Sequence, residues 1–202
     1  MLGTVPGPWT LDDALGYATG VLEGERVRLR ELHEADVPQL DAWWRDPAVL
    51  IFDSGVVRPR PEGAGAEFFR RWSANADPAS TGFCVVTRDE GTLVGHVGFA
   101  DINPKDRNAD VNIVLGPPHQ GRGYGTDAMR VLVRYGFLEL GLHRIELKVF
   151  AFNERAVAAY TRAGFVLEGR RRQRVFHGGA FHDDLIMAVL RPEWEQGQQT
   201  AP

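Results

Sequence analysis

The sequence predicts an α/β (α+β) fold, in which a mixed, mostly antiparallel twisted sheet is flanked by helices. Three β-rich runs follow one another at residues 82–87, 93–100 and 110–115, and the hairpin signal RDEG joins the first two. This order indicates an antiparallel meander. The third run is followed by a glycine loop, a helical pattern and an alternating run at 145–149, which is the order of a parallel crossover.

Length and composition bound the class of protein. The chain has 202 residues, of which 44% are hydrophobic and 25% charged, so it suits one globular domain. The sequence shows neither an apolar run of membrane-spanning length nor a secretory signal, and we expect no membrane partner. The net charge of −4 argues against nucleic-acid binding. It mildly favours a cationic amine substrate, although solubility would explain it equally well. The single cysteine, Cys84, excludes an internal disulfide and fits a cytoplasmic location.

We expect three segments along the chain: an N-terminal extension at 1–22, a single domain at 23–194 and a disordered tail at 195–202. Residues 1–8 hold two prolines and two glycines and are expected to be loose. The sequence Thr10-Leu11-Asp12-Asp13 resembles a capping box, which predicts a short helix that Gly20 ends.

The first half of the domain alternates strand and helix. Val27 and Leu29 alternate with arginines, which predicts a half-buried first strand. A helix with Trp43 and Trp44 follows and is stopped by Asp46-Pro47, and these tryptophans are core residues more often than ligand contacts. Residues 52–65 are rich in Gly, Pro and Arg, which predicts an exposed loop, and an aromatic helix comes next.

Residues 111–141 are organised around a glycine loop. Gly121, Gly123 and Gly125 free the backbone to turn its N–H groups inward, because glycine adopts positive φ at little cost. Such a run makes an anion-binding nest. Thr126 is predicted to start the next helix, whose unpaired first-turn N–H groups also favour a phosphate. A pyrophosphate is the ligand that best suits such a loop.

Spacing excludes the two common nucleotide loops. A P-loop needs a Gly-Lys-Ser/Thr that does not follow these glycines. A Rossmann fingerprint needs Gly-x-Gly-x-x-Gly after the first strand, whereas this loop is Gly-x-Gly-x-Gly and lies past mid-chain. The remaining predicted elements are a helix over 126–140 with Gly141 as its cap, a strand over 145–149, a helix over 154–163 capped by Asn153, and strands over 165–168 and 181–189.

The loop Gln120-Gly121-Arg122-Gly123-Tyr124-Gly125 meets the pattern Gln/Arg-x-x-Gly-x-Gly/Ala and resembles the coenzyme A loop of the GNAT N-acetyltransferases. The resemblance covers residues 23–194 and is closest to the RimJ/RimL-like, ribosomal-protein N-terminal acetyltransferase branch. It implies a splayed central strand pair, where the backbone of Val114 and Leu115 would hydrogen-bond the pantetheine. The cofactor-binding residues that it implies in the loop are Gln120, Gly121, Arg122, Gly123, Tyr124, Gly125 and Thr126.

The run from Asn153 through Tyr160 to Phe165 also resembles the family. The resemblance implies that Asn153 binds acetyl-CoA and that Tyr160 protonates the departing thiolate. Tyr160 lies nearly two helical turns after Asn153, so both project from one face of their helix. Many members of the nearest branch have a serine where this chain has Ala156. A plain packing role for Tyr160 stays open.

Two carboxylates are candidates for the general base. Asp110 precedes the strand edge and Glu146 lies on the crossover strand, and either could deprotonate an amine directly or through water. Both also have a structural interpretation. The histidines without a triad-like context, for which a structural role is favoured, are His96, His143, His177 and His182.

The sequence therefore predicts an acetyl-CoA-dependent N-acetyltransferase that acts on a primary amine by direct transfer and needs no metal. A protein N-terminus, a polyamine, an antibiotic or a metabolite could be the acceptor, and a homodimer is left open. Two alternatives are a transferase for a longer donor such as succinyl-CoA and a catalytically silent coenzyme A-binding module. Acceptor choice is expected to reside in residues 52–72 and in the hairpin at 177–181.

Overall fold

The computed structural model describes residues 9–53 and 56–200. The segment at 1–8 that was expected to be loose lies outside these residues, as do two positions of the predicted loop at 52–65. The helices are α1 (Leu11–Gly20), α2 (Val37–Arg45), α3 (Pro47–Asp53), α4 (Ala66–Ser73), α5 (Tyr124–Leu138), α6 (Glu154–Arg162) and α7 (Arg191–Thr200). The strands are β1 (Val27–Arg30), β2 (Thr81–Thr87), β3 (Leu93–Asn103), β4 (Asn108–Leu115), β5 (Arg144–Phe150), β6 (Val166–His177) and β7 (Ala180–Leu190).

The seven strands form one sheet in the order β1-β2-β3-β4-β5-β7-β6. β4 and β5 pair in parallel, and the other neighbouring strands pair antiparallel. The predicted α/β fold with a mixed, mostly antiparallel sheet is therefore confirmed. None of the helices in the described part of the chain is long and apolar enough to cross a membrane.

Helix α5 forms the centre of the hydrophobic core. Met129, Leu132 and Val133 are fully buried on its sheet-facing side, as the helical spacing of the sequence requires. The carboxylate of Asp127, on the same helix, accepts hydrogen bonds from the N–H groups of Glu25, Arg26 and Val27 at 3.2, 2.7 and 2.9 Å. These bonds fix the beginning of β1 against the glycine loop that precedes α5.

The predicted loop at 52–65 begins too early. Asp46-Pro47 does end α2, but Pro47 is also the first residue of α3, which continues to Asp53. A proline is well tolerated in the first turn of a helix, where its missing N–H would be unpaired anyway. Phe52 therefore lies on a helix, and its ring centroid is 6.2 Å from that of Phe152.

Two helix boundaries also correct the prediction. α5 begins at Tyr124, with Gly123 as its N-cap, and not at Thr126. The tail expected to be disordered from residue 195 is helical to Thr200. Trp194 anchors it by packing on Phe137 of α5, with ring centroids 5.5 Å apart.

Candidate active site

The two central strands separate where the predicted site lies. β4 and β5 pair over three positions, from Asn108 opposite Arg144 to Asp110 opposite Glu146. Beyond that point β4 stays paired with β3, and β5 stays paired with β7. The strands therefore fork, and a cleft of about 870 Å³ opens between residues 111–115 and 147–150.

Alternation along β4 decides which peptide groups face the fork. The carbonyl oxygen of Val114 is directed toward Gly95 of β3. Successive residues of a paired strand direct their peptide groups to opposite edges, so those of Ile113 and Leu115 face the cleft. Of the predicted pair, Leu115 turns its peptide group to the cleft and Val114 turns its peptide group to β3, so Ile113 and not Val114 is the second residue of β4 with a cleft-facing peptide group.

Two of the three loop glycines have a backbone conformation that glycine adopts much more readily than other residues. Gly121 and Gly123 have φ of 75° and 85°. Gly125 lies in the first turn of α5, where an added Cβ would come within 2.9 Å of Leu115 Cδ1. Gly125 therefore lets the first turn of α5 pack closely against the tip of the Leu115 side chain, and positive φ is confined to the first two glycines of the loop.

The first turn of α5 supplies backbone donors. The first backbone hydrogen bond of the helix is donated by Asp127 at 3.1 Å, so the N–H groups of residues 124–126 have no acceptor within it. Thr126 lines the cleft. The side chain of Tyr124 packs against the core, and that of Arg122 is exposed. The loop thus presents N–H groups and a positive helix end to an anion.

Gln120 connects the loop to both of its neighbours. Its Nε2 donates to the carbonyl of Leu115 at 3.1 Å, and its Oε1 accepts from Nη2 of Arg155 at 2.7 Å. Arg155 is on α6, lines the cleft and adds a positive charge beside the glycine loop. The sequence pattern missed this arginine, because nothing in its spacing shows that α6 packs beside the loop.

Asn153 and Tyr160 both line the cleft, as their spacing on α6 predicts. Asn153 is the N-cap of the helix, and its Oδ1 accepts from the N–H of Ala156 at 3.2 Å. The ring of Tyr160 lies 6.1 Å from that of Phe165. Its hydroxyl makes no hydrogen bond within the described part of the chain. Burial raises the pKa of Tyr160 to about 12, so the phenol is protonated at neutral pH.

The two candidate bases occupy different environments. Asp110 lines the cleft at the fork and forms an ion pair with Lys148, with Oδ2 and Nζ 2.7 Å apart. Glu146 accepts from Nη2 of Arg144 at 3.0 Å and is not part of the cleft wall. The same guanidinium binds Glu168 of β6, and the two carboxylates raise the pKa of Arg144. Glu146 therefore belongs to a structural ion-pair network.

The far end of the cleft, on the side of α2, α3 and α4, is aromatic. Trp44 and Phe68 stack in parallel with centroids 5.2 Å apart. The other apolar side chains at this end are Val49, Phe52, Trp72 and Phe150. Its described charged residues are Arg71, Asp77, Asp110 and Lys148, which balance in sign.

His96 lies behind this aromatic wall and is fully buried. Its Nε2 is 2.7 Å from Oγ of Ser73, and Trp72 packs on it with centroids 4.6 Å apart. Burial lowers the pKa of His96 to about 3, so it is neutral near pH 7. The structural role favoured for this histidine agrees with its position. Among the described residues, no cluster of His, Cys, Asp or Glu could hold a metal ion.

The forked sheet, the glycine loop and the cleft that joins them define a coenzyme A-dependent acyltransferase. The family model described as an acetyltransferase (GNAT) domain matches residues 26–166, and the chain belongs to this family. It is an N-acetyltransferase, and acetyl-CoA is its acyl donor.

Relatives support the family and include polyamine enzymes. The SPbeta prophage-derived N-acetyltransferase YokL of Bacillus subtilis is 23% identical over 172 residues, which cover 85% of this chain and 94% of the relative. The spermidine N(1)-acetyltransferase of Vibrio cholerae is 34% identical over 110 residues, which cover 54% of this chain and 64% of the relative. A solved structure of Vibrio cholerae spermidine N-acetyltransferase with CoA and spermine matches with a TM-score of 0.73 and 26% identity, over 83% of this chain and 97% of that one.

Proposed function

We propose that the protein transfers the acetyl group of acetyl-CoA directly to a primary amine that enters from the aromatic end of the cleft. The observation that carries the proposal is the cleft itself, because it joins the glycine loop, the β4 edge and Tyr160 to an aromatic pocket across the fork. Holding both reactants in line can supply much of the rate without a covalent enzyme intermediate.

The donor would lie along β4 and the loop. The peptide groups of Ile113 and Leu115 would pair with the amides of the pantetheine, as an added strand does. The pyrophosphate would accept from the N–H groups of residues 121–126 and face the guanidinium of Arg155. Asn153 lines the same cleft and is the proposed further contact of the cofactor.

The reaction needs a proton removed and a proton supplied. The neutral amine attacks the thioester carbonyl carbon, the C–N bond forms, the C–S bond breaks and the sulfur takes a proton. Tyr160 is the proposed donor of that proton, because its phenol is protonated, lines the cleft and has no other acceptor among the described residues. Asp110 is the proposed base, acting directly or through water, since Glu146 is held by Arg144 away from the cleft.

The acceptor is proposed to be a primary amine on an apolar or aromatic body. The aromatic walls contributed by Trp44, Phe52 and Phe68 favour such a body. A polyamine is the second candidate, since relatives are named for spermidine. It would bring several positive charges to an end whose described residues offer two carboxylates, one of them already paired with Lys148.

The predicted specificity segments lie near this end. Residues 52–72 contribute Phe52, Phe68 and Trp72 to the cleft. In the hairpin at 177–181, His177 packs on Phe150 with ring centroids 5.9 Å apart. We propose that substitutions in these two segments change the KM for the amine and leave acetyl-CoA binding unaltered.

Thiol release with acetyl-CoA across an amine panel tests the function. The panel contains 2-phenylethylamine, spermidine and a short peptide with a free N-terminus, the last because the RimJ/RimL-like branch would act on such an amine. We expect acetylated amine in amounts equal to the thiol, with kcat/KM for 2-phenylethylamine above that for spermidine. The reverse order would make the polyamine the better proposal. No amide from any amine would favour a silent coenzyme A-binding module.

The same panel with succinyl-CoA tests the longer donor, which the relatives named above do not support. Activity with succinyl-CoA above that with acetyl-CoA would contradict the proposed donor. A solved structure of Vibrio cholerae spermidine N-acetyltransferase is dodecameric. For this chain, a homodimer stays a prediction.

A further inference from the structure

A second concavity lies against the other side of the glycine loop and is surrounded by arginines. It has a volume of about 510 Å³, and we call it the arginine basin. Its four arginines are Arg26, Arg122, Arg130 and Arg162. Gly121, Gly123, Thr126 and Arg162 line both the basin and the large cleft, so the two are continuous across the loop.

The arginines of the basin have no carboxylate partner among the described residues. Arg26 donates through Nη1 to the carbonyl of Arg122 at 3.2 Å, and Arg130 donates through Nη2 to the carbonyl of Arg162 at 3.0 Å. The guanidinium groups of Arg122 and Arg162 make no hydrogen bond or ion pair within the part of the chain that the structure describes. All four side chains are exposed and can turn toward a ligand.

The two carboxylates of the basin do not neutralise it. Asp127 is buried and accepts from three backbone N–H groups at the beginning of β1. Glu25 is exposed and is the other acidic residue in the wall. Four arginines therefore outnumber two carboxylates, one of which is already fully engaged. Such a site suits an anion of more than one charge.

We propose that the arginine basin binds the 3′-phosphate of coenzyme A. The inference rests on the proposed function, which places the pyrophosphate on residues 121–126. The ribose is bonded to that pyrophosphate, so its 3′-phosphate must lie close to the loop, and the basin is a positively charged surface that adjoins the loop. A phosphate monoester offers oxygens in the geometry that guanidinium groups bind best. The basin would then select coenzyme A over the otherwise identical dephospho-coenzyme A.

Calorimetry with these two compounds tests the assignment. The proteins are the parent, a double variant with Arg130→Gln and Arg162→Gln, and a control with Arg28→Gln. Arg28 is an exposed arginine of β1 outside the basin wall, so the control removes a nearby positive charge from another surface. At low ionic strength we expect the parent and the control to bind coenzyme A about 10-fold more tightly than dephospho-coenzyme A.

In the double variant we expect that ratio to fall to within about twofold, while the affinity for dephospho-coenzyme A stays at the parent value. Unchanged dephospho-coenzyme A binding also shows that the variant is folded. A parent that binds both compounds equally, or a double variant that keeps the parent ratio, would overturn the assignment. Equal losses for both compounds would also overturn it, because the arginines would then act on the pyrophosphate. If the parent bound neither compound, the proposed function itself would fail.

Discussion

The substitution Tyr160→Phe distinguishes a catalytic role of the hydroxyl from a packing role of the aromatic ring. It removes one oxygen and keeps the ring that packs on Phe165 at 6.1 Å. The hydroxyl has no hydrogen-bond partner within the described residues, so its loss breaks no bond of the fold. We therefore expect a change in unfolding free energy below about 1 kcal/mol.

The expected effect on catalysis is much larger. Loss of general-acid help typically costs about 10²- to 10⁴-fold, and this loss should fall on kcat and not on acetyl-CoA affinity. Because the pKa of Tyr160 is about 12, its phenol stays protonated from pH 6 to about pH 10. The parent should therefore show no alkaline fall in kcat from this group over that range.

Three measurements decide the role of Tyr160: kcat by thiol release, acetyl-CoA affinity by calorimetry, and melting temperature. Tyr135→Phe is the matched control, since Tyr135 is a half-buried tyrosine of α5 that packs on Phe83 and lies outside the cleft wall. Activity of Tyr160→Phe within about threefold of the parent would leave less than 1 kcal/mol for the hydroxyl and refute its role as the acid. A lowered melting temperature with normal turnover would make it a packing residue.

Three further predictions test the loop, the base and the buried histidine. Gly123→Val should abolish acetyl-CoA binding in calorimetry, because φ at this position is 85° and valine does not adopt it without strain. Gly63→Val is the control: φ there is 81° with open space around it, so the strain should be equal and acetyl-CoA binding should stay intact. Asp110→Asn should lower kcat/KM by about 10²-fold and Glu146→Gln by less than about threefold; the opposite order would reassign the base. Because burial lowers the pKa of His96 from 6.5 to about 3, the unfolded chain binds the extra proton between these values. The free energy of unfolding should therefore fall by roughly 1.4 kcal/mol per pH unit as the pH is lowered from 6.5 toward 3. Urea unfolding of His96→Asn should show no such contribution to the pH dependence.

The parts of the site that could be predicted from the sequence are those encoded by short-range spacing. The loop from Gln120 to Gly125 and the shared face of Asn153 and Tyr160 depend on local geometry, which a pattern of residue types records. The crossover order of strand, loop, helix and strand likewise fixed the parallel pair at the centre of the sheet.

The parts that the sequence could not show depend on which residues meet across the fold. Asp110 and Glu146 look alike in the sequence, and each forms an ion pair in the structure. They differ in position, because Asp110 lines the cleft and Glu146 does not. Whether Val114 or Ile113 turns its peptide group to the fork depends on the pairing register with β3, which the alternation of side chains does not reveal.

The clustering of the basin arginines could not be predicted from the sequence either. The arginines of the basin come from four separate places in the chain, the flank of β1, the loop, α5 and α6. No window of the sequence holds them together. Asp127 was missed for the same reason, because its three N–H partners lie about a hundred residues earlier.

Direct transfer across one cleft is tested most simply by following the acetyl carbon. The protein is mixed with an equimolar amount of ¹³C-acetyl-CoA, with and without the preferred amine, and intact protein and products are weighed by mass spectrometry. We expect the label in the amide, in amounts equal to the free thiol, and no labelled protein in the sample without amine. An acetylated protein that forms without amine and then passes its label to the amine would contradict direct transfer.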